Sequence, residues 1–449
     1  MKTFLRILGA LVIVGVVALL AFIFWPVSRS APQQVAASAP EPAEHGEYAM
    51  RLADCAACHT AEGGEPFAGG RPIESPVGTI YSANITPDSE TGIGGWTLAE
   101  FRGALIDGLD DEGHHLYPAM PYTNYRGLTE TDIAGLHHYF IEVLEPVRND
   151  VPANDLPFPF DQRWGLRAWK WVAMPDVGFA SGAASDDQIE RGAYLVEGPG
   201  HCGACHSPRN TLFVQDGYTA DDAGFLTGGV IAGWTAPALR GEDSAIAGWT
   251  AEEVAQILGT GRNAHAAING EMALVVEDST QYFSEDDMTA MSRYLVRLDG
   301  NGADTAQAEE GPSGGLAERL SDDPATETER ILASADPGMP EGARLYLDNC
   351  GACHFVDGKG ADEVFPELDG SSIVQAGEPT GLISMILHGG ALPSTETRPY
   401  ALRMPGFADR LSDEEVATLA TFLRSAWNNK ASGAVETGAV ADMRSEEGG

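Results

Sequence analysis

One pattern, C-x-x-C-H, occurs three times in this chain and constrains its fold more than any other feature. The copies take up all six cysteines of the sequence: Cys55, Cys58, Cys202, Cys205, Cys350 and Cys353. The histidine that follows each second cysteine is His59, His206 or His354. C-x-x-C-H is the attachment signature of a c-type haem, in which two thiols form thioethers to the porphyrin and the histidine binds the iron. The pattern therefore predicts three covalent haems.

Other uses of paired cysteines fit the pattern less well. A lone C-x-x-C is typical of a dithiol redox site or of half a zinc site, and six cysteines in an exported chain can form disulfides. A disulfide framework has no reason to place a histidine after every second cysteine. A zinc site would need two C-x-x-C units close together, whereas these copies are about 150 residues apart in the sequence.

Length and charge limit the remaining possibilities. A chain of 449 residues is too long for one hydrophobic core, and three evenly spaced motifs favour three domains. The formal net charge of −39 makes nucleic acid an improbable partner, because binding to phosphates needs basic residues. A docking partner would instead be basic at the contact, or the surroundings would be saline.

The chain starts with a candidate membrane segment, residues 1–30. Lys2 and Arg6 precede an apolar run over residues 7–25, which is long enough to cross a bilayer with its N-terminus in the cytoplasm. A cleaved signal peptide is the alternative, with a small-x-small site at Ala37-Ser38-Ala39. With an anchor or with a signal peptide, the rest of the chain is exported. The composition of residues 31–43 predicts a tether.

Aligning the three haem motifs reveals an internal repeat. Each repeat has an opening helix before the motif, which contains glycine and an aromatic residue. Each repeat also has a closing helix whose first residue can be predicted from an N-cap signal. Thr129, Ser284 and Ser412 are the predicted N-caps of the closing helices, with Asp132, Asp287 and Glu415 as capping-box partners. A middle helix follows Thr97 and Thr250, with a weaker counterpart at 382–388 in the third repeat. The predicted fold class is all-α, with three tandem cytochrome c domains.

The predicted domain boundaries follow from these repeats. They are 1–30 for the anchor or signal, 44–180 for the first domain with a Pro/Trp-rich extension, 183–298 for the second, 299–330 for an acidic linker, 335–428 for the third, and 429–449 for a disordered tail. The extension, 145–182, contains Trp164, Trp169 and Trp171. It is either a strap across the first two domains or a docking surface for a partner.

Methionines at one position of each repeat are candidates for the second axial ligand of the iron. They are Met120, Met272 and Met404, and prolines follow the first and last of them. A methionine thioether raises the reduction potential and closes the iron to substrates. The competing ligands are His114, His115, His265 and His388. Pro87, Pro237 and Pro366 are candidates to accept a hydrogen bond from the proximal histidines, with ordinary turn prolines as the alternative.

Several segments beyond the haem motifs resemble the three-haem cytochrome c subunit of membrane-bound alcohol, aldehyde and sugar-acid dehydrogenases. They are Asn84-Ile85-Thr86-Pro87-Asp88, Tyr117-Pro118-Ala119-Met120-Pro121-Tyr122, Arg163-Trp164-Gly165-Leu166-Arg167 and Met404-Pro405-Gly406-Phe407. The resemblance spans residues 45–427. It implies an electron-transfer subunit with no catalytic site of its own, which takes electrons from a large dehydrogenase subunit and passes them to ubiquinone or another acceptor.

The resemblance also implies a location on the periplasmic side of the bacterial inner membrane, anchored at the N-terminus or bound peripherally after cleavage. A quinoprotein, flavin or molybdenum dehydrogenase would fit equally as the partner. The alternative function is a haem enzyme, such as a peroxidase, or a gas sensor, which would need one iron without its methionine. The sequence contains no glycine-rich dinucleotide motif that would let it act as a dehydrogenase alone.

Overall fold

The computed structural model describes residues 2–25, 27–33, 42–179, 186–231, 234–299, 326–431 and 433–446. An N-terminal helix, Lys2–Phe24, contains the stretch Arg6–Phe24, which is long and apolar enough to cross a membrane. The rest of the described chain is mainly helical and contains three hydrophobic clusters, one around each haem motif. We refer to 42–144, 186–299 and 326–446 as the first, second and third repeats.

The first two repeats have the same order of elements. The helices of the first are Pro42–Leu52, Cys55–His59, Leu98–Arg102, Tyr122–Tyr125 and Glu130–His138, and π-helical turns Gly103–Asp107 and Tyr139–Val143 extend two of them. The helices of the second are Asp187–Glu197, Gly203–His206, Ala251–Thr260, Glu271–Asp278 and Glu285–Leu298, with a 3-10 turn at Thr280–Tyr282.

The third repeat keeps the opening helix, the motif, the middle helix and the closing helix, but its short helix precedes the middle helix, and it adds a helix at each end. Its helices are Glu327–Ser334, Glu341–Asn349, Gly351–His354, Ser372–Gln375, Thr380–His388, Asp413–Leu423 and Thr437–Glu446. The last of these corrects the prediction of a disordered tail. Val440 is fully buried against the third cluster, and Arg444 pairs with Asp413 at 2.7 Å. Two buried valines in a polar segment, Val435 and Val440, were too weak a signal to predict a helix.

The described residues also form three antiparallel ribbons that the all-α prediction did not include. The paired strands are Pro72–Ser75 with Gly78–Tyr81, Gly229–Ile231 with Trp234–Ala236, and Gly389–Ala391 with Arg403–Pro405. In the third ribbon Gly390 lies opposite Met404. Strands of three or four residues are too short to show a reliable alternation of apolar and polar residues.

The N-cap residues predicted at the starts of the closing helices are confirmed. Thr129, Ser284 and Ser412 each accept a hydrogen bond from the backbone N–H three residues later. Ser412 forms the full capping box with Glu415, and Thr97 and Thr250 form the same box in the middle helices. The predicted partners Asp132 and Asp287 do not close the box, because the N–H groups of Thr129 and Ser284 donate to tyrosine hydroxyls of the neighbouring repeat. The two carboxylates accept from the same tyrosines.

Those two carboxylates join the first and second repeats through equivalent contacts. The Tyr48 hydroxyl of the first repeat donates to Asp287 at 2.6 Å, and the Tyr194 hydroxyl of the second donates to Asp132. Arg191 adds a bidentate pair to Asp287, with both distances 2.7 Å. Burial alone would raise the pKa of the Asp287 carboxyl, but hydrogen bonds from Arg191 and Tyr48 lower it below its ordinary value.

The opening and closing helices of every repeat cross at a glycine. A Cβ on Gly46 would lie 2.4 Å from the Gly135 carbonyl oxygen, one on Gly192 would lie 2.1 Å from that of Ala290, and one on Gly342 would lie 2.5 Å from Cβ of Phe422. The glycine therefore allows the two helices to approach more closely than any side chain permits. The haem motif follows directly at the end of the opening helix.

The Pro/Trp-rich segment contacts both of the first two repeats, as a strap would. The Asn154 side chain accepts a hydrogen bond from the Tyr81 N–H at 2.9 Å. Helix Leu166–Ala173 carries Lys170, whose ammonium donates to the carbonyl oxygens of Asp107 and Gly108 in the first repeat. Its Trp169 indole donates to the Leu212 carbonyl of the second repeat at 2.8 Å.

Residues 27–33, directly after the N-terminal helix, are held against the first repeat. Buried Arg102 pairs with Glu130 at 2.8 Å and donates to the carbonyl oxygens of Ser30 and Ala31 at 2.6 and 3.0 Å. The Ser30 hydroxyl donates to Asp107 at 2.6 Å. The start of the predicted tether, 31–33, is thus anchored, whereas 34–41 and linker residues 300–325 lie outside the described residues.

Candidate functional site

Each C-x-x-C-H motif forms a short helical turn directly after its opening helix. The turns are Cys55–His59, Gly203–His206 and Gly351–His354. None of the six cysteines, all of which are described, is in a disulfide, so the disulfide framework is excluded. The described residues also contain no cluster of three or more His, Cys, Asp or Glu side chains suited to a metal ion.

One thiol of each pair lacks the character of a dithiol redox site. Burial raises the pKa of Cys58, Cys202 and Cys350 to about 12. A redox dithiol needs a thiolate at neutral pH and therefore a lowered pKa. Buried, neutral thiols beside an apolar cavity fit covalent attachment to an apolar group better than thiol–disulfide exchange.

All three motif histidines are oriented by a backbone carbonyl. Nδ1 of His59 lies 2.7 Å from the Ala83 oxygen, Nδ1 of His206 lies 2.8 Å from that of Pro237, and Nδ1 of His354 lies 2.9 Å from that of Pro366. A carbonyl can only accept, so Nδ1 carries the proton and Nε2 keeps its lone pair. Burial lowers the pKa of each imidazole, which keeps it neutral as a metal ligand must be.

Pro237 and Pro366 were predicted as these acceptors, but Pro87 was the wrong choice for the first repeat. The Pro87 oxygen instead faces Gly94, where a Cβ would lie 2.2 Å away. Ala83, four residues earlier, supplies the carbonyl. Every residue has a carbonyl oxygen, so nothing in the side chain of an alanine could have indicated this role.

One continuous cavity of about 3640 Å³ connects the three motifs. All three motif histidines lie on its wall, as do the cysteines Cys55, Cys58, Cys205, Cys350 and Cys353. Pockets for a single small molecule have volumes of roughly 300–1,000 Å³. The cavity therefore has room for several large apolar groups, and the residues around it fit covalent haem.

The three candidate methionines lie on the wall of the same cavity. Met120 belongs to the loop before helix Tyr122–Tyr125, and Met404 to the strand Arg403–Pro405. Met272 lies in helix Glu271–Asp278 rather than in a loop. The wall therefore offers one thioether in each of the first two repeats and two in the third, where Met385 of helix Thr380–His388 also lines the cavity.

The competing histidines are less well placed within the described chain. The cavity wall there includes His265 but not His114, His115 or His388. The His265 ring stacks on Trp249 at a centroid distance of 5.2 Å, and its Nε2 lies 3.0 Å from the Glu253 carboxylate. That nitrogen is engaged with a carboxylate, which disfavours it as an iron ligand.

One aromatic residue that the sequence did not single out lies between the second and third repeats. Trp234 lines the cavity and is 3.6 Å from a Cβ built on Gly270, near Met272. On its other side it is 3.4 Å from a Cβ built on Gly381 of the third repeat. Two glycines far apart in the chain leave room for this ring, a relation that no local pattern could reveal.

A protein-family model agrees with the chemistry of these sites. Residues 340–427 match the model for cytochrome c, which spans the third motif, its carbonyl partner and Met404. The match defines a haem c protein.

Relatives extend this result over most of the chain. It is 40% identical to the cytochrome c subunit of the quinone alcohol dehydrogenase of Gluconobacter oxydans, covering 89% of this chain and 82% of that protein. It is 40% identical to the gluconate 2-dehydrogenase cytochrome c subunit of Pantoea cypripedii, covering 90% of each, and 36% identical to the fructose dehydrogenase cytochrome subunit of Gluconobacter japonicus, covering 91% and 84%. The chain belongs to the family of dehydrogenase cytochrome c subunits.

Proposed function

We propose that this protein carries three c-type haems and conducts electrons from a large periplasmic dehydrogenase subunit to ubiquinone or another respiratory acceptor. The observation that carries the proposal is the single cavity whose wall includes all three motif histidines and at least one methionine from each repeat. A continuous space lets neighbouring redox groups lie close together. The partner would act on alcohols, aldehydes or sugar acids, and the names of the relatives include an alcohol and a sugar-acid dehydrogenase.

Each residue type at the site has a distinct task in this proposal. Haem c, when bound, supplies a one-electron centre. The cysteine pairs hold it covalently, and the histidines present Nε2 because Nδ1 is bound to a backbone carbonyl. Met120, Met272 and Met404 would complete the coordination, raise the potential and exclude other ligands.

We further propose that each repeat is a cytochrome c domain and that the N-terminal helix is retained as a membrane anchor. The contacts of residues 29–31 support retention. Cleavage at Ala37-Ser38-Ala39 would remove Ser30 and Ala31 and leave the buried Arg102 guanidinium without two of its acceptors. A buried cation that loses its partners is destabilising, so a chain built to lose this segment would not be expected to bury Arg102 against it.

The intact mass of the purified mature protein tests both parts of the proposal. We expect the full polypeptide from its N-terminus plus three haem groups, together with covalent haem staining under denaturing conditions. Two or fewer haems would refute the three-haem assignment. A mass that begins after residue 39 would refute the retained anchor without affecting the haem count.

Carbon monoxide separates electron transfer from the alternative of a haem enzyme or gas sensor. An iron with both axial positions filled binds carbon monoxide poorly, so the reduced protein should show little spectral change. Met404→Ala is the positive control, because it should open one site in three. A strong response of the unmodified protein would favour the alternative.

A further inference from the structure

The Pro/Trp-rich segment has an apolar face that stays largely exposed beside the first two repeats. Trp164, Ala168, Trp171 and Val172 are all exposed, and their spacing places them on one side of the turn Arg163–Gly165 and helix Leu166–Ala173. Trp171 is 73% exposed. The opposite side of the helix holds buried Ala173, so the outward orientation is fixed by packing.

The orientation is also fixed by polar contacts on the inner side. Besides Lys170 and Trp169, the Ala173 carbonyl accepts a hydrogen bond from the Tyr218 hydroxyl at 2.9 Å. The helix therefore cannot rotate to bury its tryptophan without losing contacts to both repeats. A fixed and exposed apolar surface of this kind generally marks a site of interaction.

The end of the N-terminal helix lies against this face. The Phe22 ring meets Trp171 edge-on at a centroid distance of 5.3 Å and Trp164 at 6.3 Å. The Arg167 guanidinium donates to the Trp25 carbonyl at 2.5 Å and lies 5.7 Å from the Phe22 ring centroid. Phe22 belongs to the candidate span Arg6–Phe24, so Trp171 is level with the last turn of that span.

The charge around the face differs from that of the whole chain. Residues 156–173 contain two basic residues, Arg163 and Arg167, besides Lys170 on the inner side, and one acidic residue, Asp161, although the protein has a net charge of −39. Tryptophan and phenylalanine with flanking basic residues are typical of a surface that meets lipid head groups, since anionic lipids repel acidic surfaces and attract basic ones.

We propose that Phe158, Phe160, Trp164, Trp171 and Val172 form a second membrane contact, which lies in the head-group boundary of the bilayer that the N-terminal helix spans. The proposal rests on the retained anchor proposed above. Phe158 and Phe160 are 80% and 49% exposed. Because Asn154 and Lys170 bond the same segment to the first repeat, this contact would hold the first repeat against the membrane.

The test uses single cysteines, because the six native ones are expected to be blocked by haem. Trp171→Cys and, separately, Phe158→Cys in the full chain are labelled with a nitroxide and reconstituted into phosphatidylcholine–phosphatidylglycerol vesicles. Oxygen, which concentrates in lipid, and a water-soluble nickel chelate compete as relaxation agents. We expect both labels to respond at least threefold more to oxygen than to nickel, relative to a label at Tyr400→Cys.

Tyr400 is a suitable control because it is 83% exposed and lies in the third repeat. A label at Val12→Cys, within the candidate span, reports on the anchor itself. If Val12 responds as a lipid-buried site while Trp171 and Phe158 respond like Tyr400, the membrane contact is refuted and the anchor stands. If Val12 also responds as an aqueous site, the anchor fails.

A dehydrogenase docked on this face gives a different result. Labels at Trp171 and Phe158 would then be open to nickel in the isolated protein and shielded from both agents once the dehydrogenase is bound, which would overturn the lipid assignment. Trp171→Ser combined with Val172→Ser provides an independent check. If lipid holds this face, the label at Phe158 should become accessible to nickel in that double variant, with haem content unchanged.

Discussion

Gly192→Ala tests whether the crossing of the opening and closing helices depends on the absence of a side chain. The added methyl group would lie 2.1 Å from the Ala290 oxygen and 2.7 Å from Cβ of Tyr294. A carbon normally stays about 3.3 Å from a carbonyl oxygen, so one helix must move by about 1 Å. The oxygen belongs to the backbone and cannot rotate away.

The expected magnitude follows from two opposing effects. Overpacking of a rigid contact costs up to about 3 kcal/mol. Alanine is the better helix former inside Asp187–Glu197 and recovers about 1 kcal/mol of that cost. The net loss in the free energy of unfolding is about 2 kcal/mol, which lowers the midpoint of the transition by roughly 10 °C in a domain of this size.

Thermal unfolding followed by circular dichroism measures this loss, with Gly259→Ala as the matched control. Gly259 lies in helix Ala251–Thr260 of the same repeat, and the nearest atom to its Cβ position is Cε of Met288 at 3.9 Å. Alanine there should raise the stability by about 1 kcal/mol. Equal stabilisation by both substitutions would show that the helices do not depend on a close crossing at Gly192.

Three further predictions concern the ligands and the contact between the first two repeats. Met404→His should leave the haem count unchanged but lower the potential of one centre in a redox titration, and an unchanged potential would exclude Met404 as a ligand. Tyr48→Phe and Tyr194→Phe should each lower the free energy of unfolding by about 1–3 kcal/mol in urea, since each leaves a carboxylate short of a donor. Because the pKa of Asp287 is lowered in the folded protein, its contribution is present above about pH 4. That stability should be lost as the pH falls through the lowered value, and Asp287→Asn should abolish this part of the acid dependence in urea titrations at several pH values.

The parts of the structure that sequence predicted well depend on neighbouring residues. The caps Thr129, Ser284 and Ser412 bond to groups three residues away, so a short window contains both partners. The hydrogen bond from His206 to the Pro237 carbonyl could also be predicted, because few prolines follow the motif. These features repeat with the motif, and each copy supports the prediction for the others.

The parts that sequence did not predict depend on partners far along the chain. Asp132 accepts from the Thr129 hydroxyl as a capping partner does, but the Thr129 N–H that would close the box donates to Tyr194, 65 residues away. Ser30 bonds to Asp107 across 77 residues, directly before the segment whose composition predicted a tether. A short polar side chain looks the same in the sequence whether it bonds to a neighbouring residue or to a distant one. Only the packing of the repeats decides which partner it has.

The same contrast between contacts leads to a prediction about the third repeat. Its polar contacts to the second repeat are exposed: the Ser394 N–H donates to Glu277 at 2.7 Å, and the Glu396 N–H donates to Gln281 at 2.9 Å. Such bonds contribute about 1 kcal/mol each, and water replaces them readily. Pro393, against Gly261, adds a small apolar contact.

The first two repeats, in contrast, share partly or fully buried charged hydrogen bonds, so the third repeat should separate from them once the connection is cut. Trypsin can cut the predicted linker at Arg319. We expect gel filtration of the cut protein in mild urea to release a fragment with one haem from a fragment with two. Elution of all three haems together until the first two repeats unfold would show that the apolar packing around Trp234, rather than the polar bonds, holds the third repeat in place.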